Sequence, residues 1–164
     1  MGYTMKTEGM EAVSKMLTDL EGQAGKVAAY GLYDGAGEMA DAIRKAADGI
    51  RTEEFHYTVF GQRLPSPEEK AAVLSAGTGI AKFDKNGGEV DTSVGYASAG
   101  YVQTAYGRTK PVAQLANAIN SGTSFMRKDP FFRRGVRSGT HQAEAKIISK
   151  IEEQWDETIN KNGG

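Results

Sequence analysis

Few residues in this chain have the type and spacing that catalysis or ligand binding needs. His56 and His141 lie far apart, and neither has a metal-ligand or triad partner at a recognisable spacing. Ser98 sits in Gly95-Tyr96-Ala97-Ser98-Ala99-Gly100, one residue out of register for a nucleophile elbow. Lys26 follows Gly25, but Val27 stands where a phosphate-binding loop needs serine or threonine. Gly31, Gly35 and Gly37 are spaced G-x-x-x-G-x-G, which is not a dinucleotide fingerprint, and read better as points where helices approach closely. Asp84, Asn86 and Glu89 carry oxygen ligands without the EF-hand spacing. Glu53 and Glu54, Glu68 and Glu69, and Glu152 and Glu153 are adjacent, so on a helix each pair points about 100° apart and reads as solvated charge. Cysteine is absent, which removes disulfides and thiolate chemistry. The expectation is a protein that is not an enzyme, with no catalytic residue, cofactor or metal ligand.

The charged residues carry more information than the nucleophiles. Lysine and arginine number 20 against 21 aspartate and glutamate, yet residues 1–105 are net -5, residues 106–137 net +6 and the remainder net -2. The positive segment holds Arg108, Lys110, Arg127, Lys128, Arg133, Arg134 and Arg137, which form one electrostatic feature if the fold gathers them. Such a patch serves as a solvated face, pairs across a subunit boundary, or meets a polyanion such as DNA.

The elements that position these groups follow from periodicity. At 164 residues with 39% hydrophobic and 25% charged residues, the chain suits one soluble domain over residues 1–164. No apolar run approaches 18 residues and no basic-then-apolar leader opens the chain, so neither a membrane span nor a secretion signal is expected. Met5–Thr7 suggests a short strand. Met10, Val13, Leu17 and Leu20 share a helical face, and Gly22 and Gly25 are expected to end that helix before a second begins near Val27. The second carries Ala36, Met39, Ala40, Ile43 and Ala47. Phe55–Phe60 alternates like a strand. Ser66, Pro67 and Glu69 form a capping-box start for a short helix. Ile80–Asp84, Asn86-Gly87-Gly88 and Glu89–Ala97 read as a hairpin. Residues 101–110 form a polar, aromatic loop. Pro111 opens a short helix ended by Gly122. From Phe132 a stripe of Phe132, Val136, Ala143, Ile147, Ile151, Trp155 and Ile159 marks the longest helix, whose first turns Gly135 and Gly139 are expected to weaken. Trp155→Ala in that stripe is expected to open a cavity costing about 3–5 kcal/mol. The fold class is α+β, with long N-terminal and C-terminal helices packed on a small antiparallel β-sheet.

Ala118-Ile119-Asn120-Ser121-Gly122-Thr123-Ser124-Phe125, followed by Lys128-Asp129-Pro130-Phe131-Phe132-Arg133, resembles a signature of the tail-component family of long-tailed bacteriophages and prophages. Gly122, Thr123, Ser124, Pro130, Phe131, Phe132 and Arg133 match its positions. Upstream, Pro67 to Lys70, Gly79-Ile80, the hairpin and Lys110-Pro111 are similar to the version in phages of Gram-positive hosts, so the likeness spans residues 65–137. Arg51 to Leu64 departs from the alanine-proline and threonine-glycine segment common there.

The resemblance implies a non-enzymatic virion protein of the head-to-tail neck, active in tail completion and head-tail joining as an oligomeric ring. The implied partners are other copies of itself and the head-closure, tail-terminator or tail-tube proteins, with non-specific contact to genome DNA in the channel and no membrane. The implied location is the virion, and the host cytoplasm during assembly. Loops 101–110 and 123–134 would supply the docking surfaces. The alternatives are a tail-terminator ring capping the tube, or a DNA-binding accessory protein with salt-sensitive affinity.

Overall fold

The computed structural model describes residues 8–54, 61–82, 84–86, 89–96, 100–104 and 107–162. The expected strands at Met5–Thr7 and Phe55–Phe60 lie outside these residues, as do His56, Ser98, Tyr106 and the Gly87-Gly88 turn. The fold is α+β. Helices α1 (Glu8–Asp48) and α4 (Phe131–Asn162) form an antiparallel pair, and α2 (Pro67–Ala76), α3 (Val112–Ser121) and six short strands gather at the end where α1 stops and α4 starts. The helical pair is the stalk of the molecule and the gathered small elements its hub. At 1.5 Å per residue α1 is about 60 Å long and α4 about 48 Å.

Gly22 and Gly25 do not divide α1, because the helix runs through both. Glycine lowers helix propensity by about 0.5–1 kcal/mol relative to alanine, a local preference that packing along a whole partner helix overrides. The stalk glycines also explain why two long helices lie so close. A methyl group added at Gly135 would meet the Cα of Ile43 at 2.5 Å, and one at Gly139 would meet the Ala42 Cβ at 2.6 Å. From the other side, one at Gly31 would meet Ile151 Cγ1 at 2.8 Å, and one at Gly35 would run into Ile147. Each helix therefore presents a G-x-x-x-G pair to its partner, and the isoleucines of one fill the missing side chains of the other. Gly135 and Gly139 are contact points rather than weak turns, and α4 runs unbroken from Phe131.

A contrast follows from this packing. Gly135→Ala is expected to destabilise the protein by about 1–3 kcal/mol, since the backbone of Ile43 must move. Gly37→Ala meets nothing within 4 Å and is expected to add about 0.5–1 kcal/mol. Urea unfolding midpoints read both, and a Gly135→Ala protein as stable as the parent would mean the helices are free to part.

The core lies in the hub, where Ile43, Ala47 and Ile50 from α1 and the segment after it meet Val73, Val112, Leu115, Ala116, Ile119, Met126 and Phe131. Phe131 is fully buried and packs edge-on to Tyr96 with ring centroids 6.1 Å apart. Burial pushes the Tyr96 phenol up to about 12, so the ring stays neutral beside the core. Trp155 is half-buried, so the large cavity cost expected there belongs to Phe131 instead. Ile159, counted in the same stripe, is 62% exposed.

The strands form three antiparallel pairs. β1 (Thr78–Ile80) pairs with β4 (Val94–Tyr96), and β2 (Asp84–Asn86) with β3 (Glu89–Asp91). Together they make the expected hairpin, with a one-residue register slip between Ile80↔Val94 and Asp84↔Asp91. The Thr78 hydroxyl donates to the Ala40 carbonyl at 2.9 Å and ties this hairpin to α1. β5 (Tyr101–Gln103) pairs with β6 (Thr109–Pro111), so much of the segment expected as a loop over 101–110 is a second hairpin.

The start of α2 combines two features, of which only one is visible in sequence. Ser66 and Glu69 form the expected capping box, with Glu69 N donating to Ser66 Oγ at 3.2 Å and Ser66 N to Glu69 Oε2 at 2.9 Å. Glu69 is also fully buried, and Arg63 grips both its oxygens at 2.6 and 2.7 Å. Reading Glu69 as a solvated charge is therefore wrong. A carboxylate removed from water needs these partners.

Candidate interaction surface

The turn from α3 to α4 is built by the motif residues themselves. Gly122 ends α3 at φ +77°, and a methyl group there would meet Lys128 Cβ at 2.9 Å. The Thr123 hydroxyl accepts from Phe125 N at 3.2 Å and Met126 N at 2.9 Å, and Thr123 N donates to the Met126 carbonyl at 2.9 Å. This closes a tight loop that carries Ser124 and Phe125 outward, with Phe125 69% exposed. Backbone hydrogen bonds from Arg63 N to the Phe125 carbonyl and from Arg127 N to the Arg63 carbonyl pin the loop to the segment before α2. Pro130 opens α4 and its carbonyl accepts from Arg134 N at 3.0 Å. Asn120 Oδ1 accepts from Phe132 N at 3.2 Å, so α3 helps cap α4. Gly122, Thr123, Pro130 and Phe131 thus hold the junction together. Phe132 is half-buried, while Ser124 and Arg133 face solvent.

The seven basic residues do not form one patch. Arg108 and Lys110 lie on and beside β6, which leads into the N-terminal end of α3. Lys128 packs against Gly122 at the other end of that helix, about 15 Å away for ten residues. Arg127, Arg133 and Arg137 are exposed, the last two one turn apart on α4. What gathers is a smaller set. Lys128 and Arg134 line an open groove of about 430 Å³ together with Lys45 from α1 and Arg51 from the segment after it. Asp129 is the acid of this groove, and Arg134 pairs with it. Lys45 and Arg51 were missed by sequence reasoning because they precede the basic segment by more than fifty residues and belong to the net-acidic part of the chain.

The remaining chemical candidates stay apart. His141 is exposed on α4, and among the described residues no group of three or more His, Asp or Glu side chains could hold a metal ion. Glu53 accepts from Leu64 N at 2.7 Å, a structural tie across the segment before α2. No helix among the described residues is long and apolar enough to cross a membrane.

Comparison with protein-family models, curated proteins and solved structures gives no match for this chain.

Proposed function

We propose that the chain is a structural subunit of the head-to-tail neck of a long-tailed bacteriophage, working in tail completion as one member of a ring. The observation that supports this best is its surface. Large apolar side chains sit on that surface: Tyr30, Tyr33, Ile148 and Ile159 along the stalk, and Tyr101 and Phe125 on the hub, each more than half exposed. Exposed apolar side chains along both the stalk and the hub support a reading in which neighbouring subunits cover them. The motif shared with the tail-component family supplies the particular assembly, since it builds the α3–α4 turn from which Phe125 projects.

Sedimentation of the purified protein, alone and mixed with tail-tube and head-closure subunits, tests the reading. The expected result is a closed oligomer or co-sedimentation with one of those subunits. A chain that stays monomeric at every concentration and binds neither would overturn it.

A further inference from the structure

We infer that the basic groove at the hub receives the acidic far end of α4 of a second copy. The inference rests on the assembly reading above and names the contact that would make it.

Charge is laid out unevenly along α4. Arg133, Arg134 and Arg137 occupy its first two turns. Glu152, Glu153, Asp156 and Glu157 follow near its other end, four acids with no base among residues 152–157. Eighteen residues separate Arg134 from Glu152, which is about 27 Å along the axis. α4 is therefore basic where it enters the hub and acidic toward its own tip, where Lys150 and Lys161 flank the four acids; this tip lies beside the middle of the longer α1, since Gly31 packs on Ile151.

Both ends hold charges that the subunit itself does not neutralise. At the hub, Arg134 is held by Asp129, while no carboxylate among the described residues lies within ion-pair distance of Lys45, Arg51 or Lys128. Asp41 and Asp48 lie on the same helix as Lys45 and line a neighbouring groove with it, so Arg51 and Lys128 carry most of the uncompensated charge. At the tip, Lys150 pairs with Glu153 at 2.7 Å, and its ammonium is raised above its ordinary value by that hydrogen bond first. Glu152, Asp156 and Glu157 are exposed and form no ion pair among the described residues.

The acidic end also carries the features of an interface. Ile148, Glu152, Asp156 and Ile159 recur at steps of four, four and three, so they share one face of α4. Ile148 is 58% and Ile159 62% exposed. Two isoleucines flanking two carboxylates are a poor match to water and to a phosphate backbone, and a good match to a groove that mixes cations with Ala46, Gly49 and Pro130. Groove and tip are different surfaces of the same chain, so one groove–tip contact per neighbour is a heterologous arrangement, the type that closes into a ring when the rotation between neighbours permits, whereas two reciprocal contacts between two copies make a two-fold dimer.

The test is a charge swap. The groove variant carries Arg51→Glu with Lys128→Glu, and the tip variant Glu152→Lys with Asp156→Lys. All four positions are exposed, and melting curves check that each variant folds. The parent is expected to associate in low salt and to dissociate near 1 M salt, where charges are screened beyond about 3 Å. Each variant alone is expected to associate at least tenfold more weakly, and mixing the two to restore association. If the parent associates and the reversals change nothing, this contact is wrong while the assembly reading stands. If the parent neither associates nor binds tube or closure subunits, both fail. If the groove variant loses binding to a DNA duplex while self-association persists, the groove serves nucleic acid and the inference is overturned.

Discussion

Glu69→Ala is expected to lower the unfolding free energy by about 3–5 kcal/mol, one of the two largest single-residue effects in the chain. The carboxylate is fully buried, accepts both Arg63 nitrogens and closes the capping box with Ser66. Its removal takes two charge-assisted hydrogen bonds from the Arg63 guanidinium, 7% exposed, and deprives the start of α2 of a partner. The cost comes mainly from the charge left behind, so the double replacement Arg63→Met with Glu69→Leu should recover much of it. Urea unfolding of the two single variants and the double variant measures the coupling. Additive losses would mean that the pair is not the unit of stability described.

Phe131→Ala is expected to cost about 3–5 kcal/mol through the cavity it opens, lowering the melting temperature by on the order of 10 °C for a chain this long. Phe131 is the largest fully buried side chain among the described residues, and it joins α4 to the core formed by α1 and α3. Phe125, six residues earlier and 69% exposed, is the control. Phe125→Ala should leave stability within about 0.5 kcal/mol. Equal losses from the two would contradict the division of the loop into a buried anchor and an outward-facing tip.

These cases mark what the amino-acid order reveals and what it hides. The long C-terminal helix, the capping box at Ser66, the hairpin after Gly79 and the stop at Gly122 are local, set by periodicity and turn chemistry within a few residues, and are legible in the sequence. Arg63 as the partner of Glu69 is not, because a loop folds back to bring it there and no periodicity announces such a return. Gly22 and Gly25 look like helix breaks in the sequence because propensity is local, whereas the partner that overrides it lies more than a hundred residues away in sequence. The interaction surface was legible in part. Lys128 and Arg134 stand out in the sequence and line one groove, but α3 separates them from Arg108 and Lys110. Lys45 and Arg51 became visible only once α1 and α4 were seen to converge.

The interlocked glycines of the stalk carry a mechanical consequence. Sliding α4 by one turn, about 5.4 Å, toward the tip would put Phe131 where Gly135 now meets the Ile43 backbone. Sliding it the other way would put Trp155 where Ile151 now fills the space beside Gly31. Both displacements are sterically blocked, so the two helices behave as a ratchet with one notch. A push delivered at the far end of the stalk arrives at the hub as motion instead of being lost to slippage between them.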